Sequence, residues 1–163
     1  MNSNKKNEGF AMIEVLLAVV ILAIGLLAGS RMQMLGLSFS QGALTRSYAT
    51  MAANDIIDRM QLNAAGVAAG NYDTVSTNQL PGNPNCIDTA IGCDAQELAQ
   101  TDLFMWGRHF RQSDAPTAST LLPPDAVGSI TEDGGRRLVR IAWQDVVEGE
   151  TDDRFVEISV AIR

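Results

Sequence analysis

An apolar run that starts at Phe10, directly behind a short polar leader ending in Gly9, constrains this chain more than any other feature. The run continues to Gly29 and carries one charge, Glu14. Roughly 20 residues at ~1.5 Å of rise each suffice to cross the hydrocarbon of a bilayer as a helix. An acidic side chain well inside that layer costs on the order of 2.5 kcal/mol, so such a residue is paired, functional or close to an interface. Glu14 lies one helical turn beyond Phe10. A cut after Gly9 would leave an ammonium on Phe10, and Glu14 would then be its natural counter-charge, on the same subunit or on a neighbour.

Two plainer explanations share part of this pattern. In a secretory signal peptide, Lys5 and Lys6 would form the basic region and Ala28-Gly29-Ser30 the small-residue cleavage site. Such a segment has no use for a charge at Glu14. An unprocessed single-span anchor needs only the apolar length. Both lysines precede the span, which predicts a cytoplasmic leader and a periplasmic chain from Arg31 onward. The formal net charge is −7 at pH 7, and losing Lys5, Lys6 and Glu8 with the leader makes it one unit more negative. A chain of this sign has no general attraction for nucleic acid or anionic lipid.

Helical periodicity runs past the membrane-like stretch. Leu35, Phe39, Leu44, Tyr48, Ala52, Ile56 and Met60 recur mostly every four residues, while Arg46, Asp55, Asp58 and Arg59 take other faces. The spacing predicts one helix from Phe10 to about Leu62, with Asn63 and Gly66 as stop signals. Asp55 and Arg59 form an i, i+4 pair, which on a solvated face contributes a few tenths of a kcal/mol. Gly25, Gly29 and Gly36 fall on nearly one face. Glycine costs about 1 kcal/mol in a helix interior relative to alanine, so this face suggests close approach by another helix, although membrane helices are also richer in glycine generally.

The sequence Gly9-Phe10-Ala11-Met12-Ile13-Glu14-Val15-Leu16-Leu17-Ala18 resembles the class III signal of type IV pilins and type II secretion pseudopilins. In those families a prepilin peptidase cuts after the glycine and methylates the new N-terminus, here Gly9 and Phe10. Ala11 and Met12 stand where threonine and leucine are commoner, and the helix-melting proline of many major pilins is missing. A second stretch, Asp55-Ile56-Ile57-Asp58-Arg59-Met60 followed by Asn63, Gly66 and Gly70-Asn71-Tyr72, resembles the PilV-like minor pilins, or type IV pilus modification proteins. Asp102-Leu103, Trp106 and a late strand with Trp143 extend that resemblance more weakly. It implies a leader at 1–9, a transmembrane or filament-core helix at 10–34 and a periplasmic pilin-like domain at 35–163, an α+β fold in which the long helix packs on a C-terminal antiparallel sheet.

Residues 66–93 are rich in Gly, Asn, Thr and Pro, with Pro81-Gly82-Asn83-Pro84 as a turn signal, and read as a loop. Cys86 and Cys93 are the only two cysteines. In a periplasmic domain such a pair is expected to form a disulfide, while a structural zinc site would need two more ligands. Asp94 followed by Glu97 resembles a capping box opening a short helix through Leu98, Leu103 and Trp106 to about Arg111. Pro116 and Pro123-Pro124 bracket a further loop. Val139, Ile141 and Trp143 then alternate, as do Val156, Ile158, Val160 and Ile162, which predicts an antiparallel hairpin with polar residues 145–153 between its strands.

Signs of chemistry are sparse. The single histidine, His109, falls in the short helix without a nucleophile in an activating motif. Glu148, Glu150, Asp152 and Asp153 lack the glycine and spacing of a calcium loop and read as a solvated hairpin tip. Arg136-Arg137 is too small a basic patch for nucleic acid. No cofactor and no metal are expected, and no enzyme activity. The expectation is a minor pilin that helps prime or cap a type IV pilus, moving from the inner membrane to the cell surface. Its implied partners are the prepilin peptidase, other minor pilins, the major pilin and a tip adhesin. A minor pseudopilin of a type II secretion system is the near alternative, and a membrane-tethered periplasmic enzyme or ligand-binding domain the distant one.

Overall fold

The computed structural model describes residues 8–87, 90–110, 121–147 and 150–162. The leader expectation for residues 1–7, the loop around Pro116 and the acidic Glu148 lie outside them. Two units divide the chain, Met1–Gln41 and Gly42–Arg163. A single helix, α1 (Glu8–Leu62), passes through the boundary. In the first unit its side chains from Met12 to Leu37 are exposed all round, and the helix is long and apolar enough to cross a membrane.

The second unit is an α+β head. Its elements are residues 42–62 of α1, then α2 (Ala64–Ala68), β1 (Val75–Ser76), α3 (Ala95–Gly107), β2 (Val127–Asp133), β3 (Arg136–Val147) and β4 (Glu150–Val160). The four strands form one antiparallel sheet in the order β1-β2-β3-β4. The sheet packs on the head's helices. Ala49, Ala52, Ala53, Ile56, Ile57 and Met60 of α1 join Leu103 and Trp106 of α3, Ile130 of β2 and Val139, Ile141 and Trp143 of β3 in one buried core. Alanines line the near side of α1, which lets the helix lie close to its neighbours and leaves volume for Trp106.

Several expectations need correcting. The predicted stripe through Leu35, Phe39 and Leu44 leaves all three exposed, and the inward face of α1 begins at Tyr48 and Ala49. Gly66 is not a stop signal but a buried residue of α2. Asn63 closes α1 and caps α2, its side-chain oxygen accepting from the Gly66 N–H at 3.1 Å. The short helix α3 stops at Gly107, before Arg111, so His109 sits in the turn that follows it. The capping box is present in both halves: Asp94 accepts from the N–H groups of Gln96 and Glu97, and Glu97 accepts from the Asp94 N–H.

Two strands had no clear sequence signal. β1 holds two residues inside the stretch read as a loop, and Thr77 extends its pairing by exchanging bonds with Gly128. β2 carries Gly128 where a strand would favour a bulky residue. A Cβ there would lie 2.6 Å from the Trp106 ring and 2.7 Å from the Phe110 ring, so glycine marks the close approach of an aromatic pair to the sheet. The predicted hairpin is present, and its strands continue through residues 145–147 and 150–153, which the sequence placed between them.

Cys86 and Cys93 are joined in a disulfide with Cα atoms 5.0 Å apart. Cys86 is buried at 4 % exposure, while Ile87 and Ile91 of the same small loop are exposed. Closing a loop of this length should contribute about 2 kcal/mol, mainly by restricting the unfolded chain. Replacing both cysteines by serine is expected to lower the melting temperature of the head by roughly 5–10 °C. Thermal unfolding followed by tryptophan fluorescence checks this, because both tryptophans, Trp106 and Trp143, belong to the head.

Candidate functional site

Phe10 and Glu14 stand four residues apart in α1. Glu14 is exposed, as are its apolar neighbours Ile13, Val15, Leu16 and Leu17. Gly25, Gly29 and Gly36 recur within roughly 40° of one another at 3.6 residues per turn. A Cβ on any of the three would meet nothing within 4 Å. Ser30 returns its hydroxyl to the Leu26 carbonyl at 2.8 Å, so its polar group needs no outside partner in an apolar setting. Together these residues make an apolar surface with one carboxylate at the start and a narrow glycine strip further along.

In the head, polar residues that the sequence scatters over 50 positions converge into one chain of contacts. His109 Nε2 lies 3.2 Å from Asp55 Oδ2, and Asp55 Oδ1 accepts from Arg59 Nε at 3.0 Å. Arg59 Nη1 reaches Asp102 Oδ1 at 3.4 Å, and Asp102 Oδ2 accepts the Tyr72 hydroxyl at 2.6 Å. Asn63 Nδ2 donates both to the Tyr72 oxygen, at 3.0 Å, and to the Ala95 carbonyl, at 2.8 Å. Asp102 is 6 % exposed and Tyr72 fully buried. Burial, and next the bond to Asp102, hold the Tyr72 phenol far above its ordinary pKa, so it remains a donor.

The Asp55–Arg59 pair is therefore more than the solvated i, i+4 contact its spacing implies. It links α1 to α3 through a buried carboxylate, and through Tyr72 and Asn63 to the start of α2. A second buried charge behaves likewise. Arg137, 8 % exposed on the inner face of β3, lies 2.6 Å from Asp73 through Nε and donates to the Val67 carbonyl at the end of α2. Arg136 instead bonds Ser159 on β4. The sequence signal for these roles is a charged residue inside an apolar series, as at Asp102 before Leu103 and Arg137 before Val139.

What this arrangement does chemically is hold elements in place, through hydrogen bonds from Asp55 to Tyr72 and an ion pair between Arg137 and Asp73. Among the described residues no group of three or more His, Cys, Asp or Glu side chains could hold a metal ion. Beside the Asp55–His109 contact lies a cleft of about 450 Å³, lined by Tyr48, Met51, Arg59, Arg108, Leu121 and Leu122.

Residues 4–30 match the prokaryotic N-terminal methylation motif. No curated protein matches the chain, and no solved structure does. The motif covers Gly9, Phe10 and Glu14 and ends at Ser30, which makes this a chain with a prepilin-type N-terminus, a membrane-anchoring apolar helix and a pilin-like α+β head.

Proposed function

We propose that this chain is a minor pilin of a type IV pilus, cut after Gly9, methylated on Phe10 and assembled through its apolar helix. The observation that carries the reading is the coincidence of the methylation motif with a helix whose apolar side chains find no partner within their own unit. An exposed surface of that kind suits lipid first and neighbouring helices afterwards. Glu14 then neutralises the amine of an incoming or adjacent subunit, and the strip of Gly25, Gly29 and Gly36 admits a neighbouring helix at close range. The head contributes contacts to other minor pilins, the major pilin or a tip adhesin, with no catalytic step of its own. The PilV-like stretch supports the pilus assignment, because Arg59, Asn63, Tyr72, Asp102 and Trp106 all serve to fix the end of α1 in the head.

Changing Glu14 to Ala tests this directly. Membrane insertion is expected to be unchanged or improved, because a costly charge is removed from the apolar segment. Incorporation into filaments is expected to fall about tenfold or more, because a neighbour's amine loses its partner and stays unpaired in an apolar surrounding. The measurement is the amount of this chain in sheared surface filaments of the native host relative to its membranes. Wild-type amounts in filaments for Glu14→Ala would refute the counter-charge role. Wild-type protein missing from filaments altogether, with secretion lost on deleting its gene, would place it with the secretion pseudopilins.

A further inference from the structure

Among the described residues β4 forms an edge of the sheet and pairs on one side only, one residue against one, from Val147 opposite Glu150 to Arg137 opposite Val160. Antiparallel pairing turns alternate N–H and C=O groups of such a strand outward, a row of donors and acceptors ready for another strand. Among the described residues no backbone group outside the sheet bonds to that row, and one side chain reaches the strand's backbone, Arg136 Nη2 donating to the Ser159 carbonyl at 3.1 Å. The opposite edge is protected by its length, since β1 has only two residues. β4 has eleven, with no proline, no lysine and no break in register.

The core layer is also incomplete on this side. Val139 and Ile141 of β3 are fully buried, whereas Ile158 and Val156 directly across from them on β4 are only partly covered, as are Val160 and Ile162. Their inner-facing row continues to Asp152, which stands directly opposite Asp145 of β3. Like charges directly opposed across strands are destabilising. Arg154, at 2.9 Å from Asp152, is the one basic residue of β4 against Glu150, Asp152, Asp153 and Glu157.

We propose that β4 accepts an extended segment of another protein as a fifth strand, with apolar side chains at alternate positions beside Val156, Ile158 and Val160 and a lysine or arginine beside Asp152. Backbone bonds supply the affinity and the alternation supplies the register. The basic residue relieves the Asp145–Asp152 opposition. A second copy of this chain is the poorer occupant, because it brings the same acidic strand to an edge already acidic. The inference stands apart from the methylated N-terminus, since it rests on the sheet alone.

The test places a photo-crosslinking amino acid at Phe155, Glu157 or Ser159, all on the outer face of β4, in the full chain in its native host. Mass spectrometry then maps each adduct. The expected adducts step two residues at a time along one segment of one partner protein as the probe moves from 155 to 159, and that segment alternates apolar residues and carries Lys or Arg near the Asp152 end. Asp152→Lys should lower the adduct yield about tenfold, because it turns attraction into repulsion, while the melting temperature holds or rises as Asp145 gains a partner. Adducts to a second copy of this chain, to lipid or to no protein would overturn the proposal. So would adducts without the two-residue step, or a yield that Asp152→Lys leaves intact.

Discussion

Trp106→Ala is expected to destabilise the head by about 3–5 kcal/mol, the range for removing a buried large aromatic side chain. The indole is fully buried. Its ring meets Phe110 edge-on with centroids 5.1 Å apart, and its Nε1–H donates to the Ala52 carbonyl at 2.9 Å. That carbonyl belongs to α1, so one side chain ties the long helix to α3 and to the sheet at Gly128. The cavity left behind cannot collapse easily, because it is walled by a helix backbone on one side and a strand glycine on the other. Denaturant unfolding of the full chain in detergent, followed through Trp143, reads the loss. Trp106→Phe keeps most of the volume and gives up the hydrogen bond, so it should cost clearly less than the alanine variant.

The second large effect is expected at Asp102. Removing a buried carboxylate that serves two donors leaves the Tyr72 hydroxyl without an acceptor and Arg59 without its inner partner. A broken buried pair costs about 3–5 kcal/mol, and because the Arg59 side chain is one-third exposed the expectation for Asp102→Ala is nearer 2–3 kcal/mol. Tyr72→Phe removes only the hydroxyl and should cost about 1 kcal/mol. Once Asp102 is alanine, the added cost of Tyr72→Phe should largely vanish, since the two residues share one bond. Unfolding midpoints for the two single variants and the double variant check this. Fully additive costs would mean that the network is a set of independent contacts.

Helix α1, the capped start of α3, the disulfide and the β3–β4 hairpin were legible from sequence because each rests on a local signal: periodicity, a four-residue capping box, paired cysteines, alternation. β1 and β2 were not, since a two-residue strand has no period and Gly128 breaks the alternation for the sake of Trp106 and Phe110. The stripe from Leu35 to Leu44 shows the converse limit. Periodicity says which residues share a face, and only the fold says whether that face is covered within the chain. Asp102 shows it again. Its position in α3 reads as an interruption of an apolar pattern, and its role appears only when Arg59 and Tyr72, 43 and 30 residues away, are brought to it.

The same contrast separates the two halves of the functional reading. The N-terminal site is linear: Gly9, Phe10 and Glu14 lie within six residues, and the methylation motif that contains them is recognisable without a fold. The head's contacts are distributed: Arg59, Asn63, Tyr72 and Asp102 come together only in the fold, where they hold the end of α1.

The central claim is that the mature chain begins at a methylated Phe10. Intact-mass and N-terminal analysis of the protein purified from its native host tests it most directly. The account predicts a chain lacking residues 1–9 and carrying one methyl group on the Phe10 nitrogen. A chain that begins at Met1, or one cut after Ser30, would contradict it.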